Sequence, residues 1–278
     1  MASSSKLLEQ FKRQLDFSGL ATRSIYGYSR IIERFLEYSG GDYSKASVID
    51  FIQSDNWEDN SRAYYFKIIK RFFEALGWDW EFAKREGPRT KVTRPPAISE
   101  DDAGRLLALA KKRSPLDFAM FRILAITCMR DDELCRLSRA NYKRPELTID
   151  LGKGELYRTM SLDTETTDAL DAYLATREDE SPALFVGEKT LERIRTEVVY
   201  HKFKRYARLL KFDQRKMGTH SIRRGVTTWL SKGGMSLKEI QEFGGWLTIE
   251  MPARYIRLGH TEVEEKAKKV HPLIKRGE

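Results

Sequence analysis

Apolar residues recur at helical intervals from Lys6 to about Phe82, and Ile25, Tyr28, Ile32, Phe35 and Leu36 fall on one face of a predicted helix. Thr22 is placed to cap that helix and Gly40-Gly41 to stop it. Two further helical stretches follow, over Lys45 to Gln53 and Asn60 to Leu76, so residues 1–82 read as a small all-helical domain. The periodicity then disappears. The segment AKREGPRTKVTRPP holds three prolines and a glycine and lacks any apolar rhythm, which predicts an extended linker over residues 83–98.

A second, mostly helical domain is expected over residues 99–278. Ser99 precedes Glu100, Asp101 and Asp102, acids suited to the positive end of a helix dipole, so a capped helix should run to about Lys112. Leu116 to Ile126 is apolar almost throughout and is expected to be buried. The sheet signal is LTIDLGKGELYRTMSL: Leu147, Ile149 and Leu151 alternate before Gly152-Lys153-Gly154, and Arg158, Met160 and Leu162 keep a period of two afterwards, predicting an antiparallel hairpin. Near the C-terminus, Thr261-Glu262-Val263-Glu264 reads as a capping box, with Val263, Ala267 and Val270 forming the stripe of a short amphipathic helix. Such a stripe is too small to be stable alone and must dock on something. The fold class is therefore mainly α, an all-helical N-terminal domain joined to a mostly helical α+β domain with a small antiparallel sheet.

Composition narrows the partner. The 278 residues contain 50 Lys and Arg against 41 Asp and Glu, a formal charge of +9, which favours a polyanion, although a basic surface without special meaning accounts for the charge about as well. The linker's Lys84, Arg85, Arg89, Lys91 and Arg94 have two readings of about equal weight, a solvated spacer or a set of phosphate contacts. No stretch has the ~18 consecutive apolar residues a membrane span needs, and the N-terminus lacks a hydrophobic signal core, so a cytoplasmic protein with no membrane partner is expected. The two cysteines, Cys128 and Cys135, lie seven residues apart in a segment that looks at least partly helical, a separation that would prevent a disulfide between them.

Four separated segments carry candidate chemistry: TCMRDDEL around Arg130, GKGELYRTMSL around Lys153, HSIRRG with His220 and Arg223, and GGWLTIEMPARYI with Trp246 and Tyr255. Each is weak alone, since a basic protein acquires H-x-x-R by accident. Together, in this order and with Tyr255 nine positions after Trp246, they resemble the tyrosine recombinases, or phage-type integrases, of the two-domain Xer- and Cre-like kind. The resemblance covers the whole chain, with the specific motifs in its second half.

That resemblance implies a C-shaped clamp on duplex DNA, with residues 1–82 as the core-binding domain and residues 99–278 as the catalytic domain. It implies site-specific recombination through a 3′-phosphotyrosine and a Holliday junction, by four protomers on two sites, without metal or nucleotide cofactor. The chemistry accounts for the residue types. Arg130 and Arg223 match the phosphate-binding arginines, whose planar guanidinium stays charged at any working pH. Tyr255 matches the nucleophile. His220 would manage the tyrosine proton, and Lys153, carried on the hairpin, would protonate the departing 5′-oxygen. Trp246 stands where most members have histidine; its indole N–H either donates to the phosphate or its ring packs under Tyr255. Glu133, three residues after the first arginine, matches an acid that holds the site together. The tail helix would dock on a neighbouring protomer, the favoured of two seats, the other being its own catalytic domain.

Two positions depart from the family pattern. Cys128 stands where glycine is usual, so a turn requiring positive φ would be strained there, and Ser161 stands where proline is frequent. Two other readings stay open: a type IB topoisomerase that relaxes DNA by the same phosphotyrosine chemistry, and a catalytically silent DNA-binding accessory protein.

Overall fold

The computed structural model describes residues 3–90, 96–150, 157–213, 217–256 and Glu264. The chain divides into two compact units, Met1–Thr93 and Arg94–Glu278.

The first unit is built from α1 (Ser4–Phe17), α2 (Thr22–Ser39), α3 (Lys45–Gln53) and α4 (Asp59–Leu76). Phe11, Ile32, Phe35, Val48, Ile69 and Phe72 are fully buried between them, the burial expected of amphipathic helices too short to be stable alone. Gly40 ends α2 in the left-handed conformation, as its sequence position predicts. The N-cap of α2 differs from expectation: Ala21 occupies it and makes no side-chain bond, while Thr22 is the first helical residue.

Residues 83–90 pack with this first unit. Lys45 Nζ lies 2.6 Å from the Glu86 carboxylate, the backbone N–H of Ala83 donates to the same side chain at 3.0 Å, and Phe66 stacks edge-on against Trp80 and Phe82. Gly87 sits so close to the Phe66 ring that a Cβ there would fall 2.6 Å from ring carbon Cε1. Lys91 and Arg94 lie outside the described residues.

Pro96 is the first described residue of the second unit. The carbonyl of Pro96 accepts from Arg224 Nε at 3.0 Å, and Ile98 is buried, its N–H donating to the Ser221 carbonyl. Helix α5 (Glu100–Arg113) starts at Ser99, whose hydroxyl accepts from the N–H of Asp102, and carries three acids in its first turn and three bases in its last. Helix α6 (Pro115–Thr127) is the central element, buried on nearly every face. It packs against α5, α8 (Thr164–Leu174) and α10 (His220–Lys232). Among the described residues the sheet has three strands, in the order β1 (Tyr142–Lys143), β2 (Glu146–Asp150) and β3 (Tyr157–Ser161), all antiparallel. Leu147 faces Met160 and Ile149 faces Arg158 across β2 and β3, the expected hairpin pairing, and β1 is an addition that so short a segment did not signal. The turn bearing Lys153 lies outside the described residues. The remaining α-helices are α7 (Asp131–Arg136), α9 (Thr196–Leu209), α11 (Leu237–Gly244) and α12 (Glu250–Ala253). Of the tail beyond Ile256, Glu264 alone is described, so the other three residues of the predicted capping box, Thr261 to Val263, lie outside the described residues.

Cys128 and Cys135 are free and buried. They are not on one continuous helix: Cys128 ends α6 with φ of 56°, the left-handed region that disfavours a side chain. No helix among the described residues is long and apolar enough to cross a membrane.

Candidate active site

Three arginines, from the starts of α7 and α10 and from β3, converge on one carboxylate. Helix α7 starts directly after the left-handed turn at Cys128, with Arg130 as its N-cap residue. Glu133, three residues on, folds back so that Oε2 accepts the Arg130 N–H at 2.9 Å and Oε1 accepts from Arg130 Nη1 at 2.6 Å. The carboxylate therefore satisfies an orphan backbone donor of the helix and orients the arginine in one arrangement. The opposite end of α7 is tied down by Arg193, whose Nη1 donates to the carbonyls of Cys135, Arg136 and Leu137 at 2.9, 2.7 and 2.7 Å.

Arg223 arrives from the first turn of α10. Nη1 donates to the Cys128 carbonyl at 2.5 Å and Nη2 to the Gly244 carbonyl at 2.8 Å, and Nη1 stands 3.7 Å from Glu133 Oε2. A third guanidinium, that of Arg158 on β3, also lies 3.7 Å from Glu133 Oε2. Glu133 is 1% exposed, so its charge interacts with all three arginines through a poorly screening interior. Three guanidiniums around one carboxylate leave a surplus of positive charge, the condition needed to receive an anionic phosphate. Burial pulls Arg223 below the ordinary arginine range, opposed by Cys128, Glu133 and Tyr255 and aided by Arg130. Burial also lowers Arg158, to about 10, with Glu133 opposing.

The accessible rim differs from this floor. Arg130 keeps 30% of its side chain exposed and His220 keeps 57%. His220 is the first residue of α10, with Nδ1 3.8 Å from Asp131 Oδ1; Asp131 Oδ2 accepts from the Thr219 hydroxyl at 2.7 Å and so joins the start of α10 to that of α7.

Trp246 follows Gly245, which ends α11 in the left-handed conformation. Its indole is buried, with the Arg223 guanidinium carbon 4.1 Å from the ring centroid. Tyr255 comes two residues after the end of α12; its ring is half-buried, 6.1 Å centroid to centroid from Trp246, and its carbonyl accepts from the Thr228 hydroxyl of α10 at 3.1 Å. Arg130, Glu133, Arg223, Trp246 and Tyr255 are thus linked by direct contacts, with His220 joined through Asp131. Among the described residues no three His, Cys, Asp or Glu side chains are grouped to hold a metal ion.

Sequence reasoning missed Arg158 and Asp131. The signal for Arg158 was present: it shares the inward-facing period of Met160 and Leu162, where a charged residue needs a partner. Lys84, Arg85 and Arg89 belong to the first unit. They line an open groove of about 650 Å³ in the first unit, together with Lys67, Lys70, Phe66, Trp80 and Phe82.

The phage integrase family profile matches residues 96–262. Tyrosine recombinase XerA of Thermococcus kodakarensis is 25% identical over 284 residues, covering 99% of each chain. Tyrosine recombinase XerC of Corynebacterium glutamicum is 31% identical over 193 residues, 66% of this chain and 61% of the relative. Among solved structures, a post-cleavage complex of the XerH site-specific recombinase with palindromic difH substrate has a TM-score of 0.77 at 17% identity, covering 96% of this chain and 85% of that one. A lambda integrase tetramer bound to a Holliday junction has a TM-score of 0.71 at 13% identity, covering 91% and 77%.

Proposed function

The chain belongs to the phage integrase family, and we propose from its site that it is a tyrosine site-specific recombinase acting on duplex DNA. The observation that supports this reading most is the convergence of Arg130, Arg223, Trp246 and Tyr255, from segments up to 125 residues apart, around the buried Glu133.

In this reading Arg130, from the exposed rim, and Arg223, from the floor, neutralise the charge that grows on the non-bridging oxygens of the scissile phosphate. The Tyr255 phenolic oxygen attacks phosphorus. The phosphorus–O5′ bond breaks, a 3′-phosphotyrosine forms, and the 5′-oxygen leaves as a hydroxyl after taking a proton. His220 accepts or relays the phenolic proton, and Lys153 donates to the departing oxygen. The phosphotyrosine conserves the energy of the diester, so a 5′-hydroxyl from a second site can reverse the step and join the strands without ATP. Trp246 acts mainly by packing under Arg223 and Tyr255, the role its burial supports.

DNA is the partner, and a tetramer on two sites is the assembly in which strands exchange, as in the lambda integrase tetramer bound to a Holliday junction. The tail beyond Tyr255 docks on the neighbouring protomer, coupling active sites so that two of four tyrosines react at once. Deleting residues 261–278 should then leave half-site binding intact and impair cooperative assembly and recombination; full-rate recombination by the truncated protein refutes docking in trans.

The deciding experiment is a suicide substrate nicked beside the cleavage point. A covalent protein–DNA adduct that disappears in Tyr255→Phe supports the assignment, and an adduct formed by Tyr255→Phe refutes it. Strand exchange between two labelled sites separates a recombinase from an enzyme that only relaxes supercoils.

A further inference from the structure

Arg158 and Arg223 hold the same two helix ends. Thr127 is the last residue of α6 and Gly244 the last of α11. Arg223 bonds the carbonyls of Cys128 and Gly244, at 2.5 and 2.8 Å. Arg158 bonds the carbonyl one residue earlier on each side, through Nη2 to Thr127 at 3.2 Å and through Nη1 to Phe243. Helix geometry leaves such C-terminal carbonyls without intrahelical partners, and they carry the negative end of the helix dipole. Each guanidinium therefore takes one carbonyl from α6 and one from α11, forming two parallel cross-ties, and both stand 3.7 Å from the same oxygen of Glu133.

The cross-ties differ in what they can do. Arg223 is next to Trp246 and lies within the field of Tyr255, so it belongs to the reacting centre. Arg158 is 89% buried and, like Arg223, commits both terminal nitrogens to backbone carbonyls, but it stands on β3, and the contact with the Trp246 ring belongs to Arg223. Such a buried cation is costly unless it is bonded, and its bonds go to the two turns that carry Cys128 and Gly244, the acceptors of Arg223.

We propose that Arg158 is a positioning residue of the cleavage reaction: by tying the carbonyls of Thr127 and Phe243 it fixes the ends of α6 and α11, and so the orientation of Arg223 and the seat of Trp246. Arg158 does not touch the phosphate. It holds in place the acceptors that aim the arginine that does. The proposal rests on the phosphate-binding role given to Arg223 above.

The test compares Arg158→Met, Arg158→Lys, Arg223→Ala and the Arg158→Met/Arg223→Ala double variant in the full chain. Half-site affinity is read by fluorescence anisotropy and single-turnover cleavage on a nicked suicide substrate, with folding followed by circular dichroism. Arg158→Met should bind within about threefold of the parent and cleave about 10²-fold more slowly, the scale of a misplaced catalytic group. Arg158→Lys, which keeps the charge but presents no planar fork to bridge two carbonyls, should recover less than a tenth of the lost rate. The double variant should be no more than about twofold slower than Arg223→Ala, because residues acting through one another are not additive. A substrate with a methylphosphonate at the scissile position lacks the charge that Arg223 neutralises, and on it the gap between parent and Arg158→Met should close to within about threefold.

Full-rate cleavage by Arg158→Met beside an impaired Arg223→Ala overturns the proposal and leaves the reading of Arg223 standing. A double variant slowed by the product of the single effects, or an unchanged gap on methylphosphonate, also overturns it. An unimpaired Arg223→Ala overturns the reading beneath it, and this proposal with it. If neither Arg158→Met nor Arg158→Lys folds, Arg158 serves stability alone and the proposal fails.

Discussion

The Arg223 guanidinium lies 4.1 Å above the centroid of the Trp246 indole, so an arginine of the proposed phosphate site rests on an aromatic face instead of on solvent. The ring reaches that position because Gly244 has no side chain: a Cβ there would fall 1.8 Å from Trp246 Cζ3. Cation, ring and glycine therefore form one stacked unit, which keeps the guanidinium plane fixed and partly compensates its burial.

Gly244→Ala should displace the indole and with it Arg223. The expected result is a loss of about 1–3 kcal/mol in stability, the usual cost of overpacking, together with cleavage slowed at least tenfold and half-site affinity nearly unchanged. Urea unfolding and single-turnover cleavage measure the two effects, and an Ala variant that cleaves normally would show that the stack is not needed.

Trp246→Ala removes a large buried ring and should cost about 3–5 kcal/mol. Trp246→Phe keeps an aromatic face beneath Arg223 and should retain more cleavage than the alanine variant. Equal rates in the two would count against a role for the ring face.

Glu133→Gln keeps an oxygen to cap the Arg130 N–H but leaves Arg130, Arg158 and Arg223 without their shared carboxylate. Breaking a buried charge arrangement in this way costs about 3–5 kcal/mol, and salt should restore little of it because the site is poorly solvated. Arg130→Ala should cost less stability, since its side chain is partly exposed, while reducing cleavage by about 10²-fold or more. Denaturant midpoints that rank the other way would refute the central place of Glu133.

Burial pushes the Cys135 thiol up to about 12, with Asp131 and Asp132 adding to the effect, and raises Cys128 as well. Above the ordinary thiol pKa the unfolded chain gives up these protons while the folded chain retains them. This contribution to stability is thus complete below about pH 8.5 and is lost progressively as pH rises toward 12. Cys135→Ser should flatten the alkaline slope of stability. In the folded protein at pH 8 both thiols should react with a disulfide reagent far more slowly than after denaturation, and rapid labelling would contradict their burial.

Binding to duplex DNA should weaken steeply with salt, with a log–log slope of about −0.9 for each phosphate neutralised. Replacing Lys84, Arg85 and Arg89, which line the basic groove of the first unit, should lower that slope without relaxing sequence preference, because backbone contacts position more than they specify. A slope unchanged in the triple variant would make the groove a solvated surface.

Most elements were legible because their signals are local. The 3.6-residue rhythm of Ile25 to Leu36, the stop at Gly40, the cap at Ser99 and the alternation around Leu147 and Ile149 each depend on residues within a turn or two of one another. The candidates Arg130, His220, Arg223, Trp246 and Tyr255 could be named from the sequence too, since residue types and their order along the chain are sequence properties and the proposed reaction needs those functional groups. Tertiary structure decided what these groups do to one another. Residues 83–90 look like a free linker until Phe66 is found packed against Phe82 and Gly87. Cys128 shows its left-handed backbone only where α6 must turn into α7. Arg158 is one position in a strand until folding sets it beside Glu133 and the ends of α6 and α11. The physical reason is that periodicity records which face of an element is buried, whereas a guanidinium's partners are set by which elements pack against that face, through contacts 25 to 95 residues apart that no local pattern specifies.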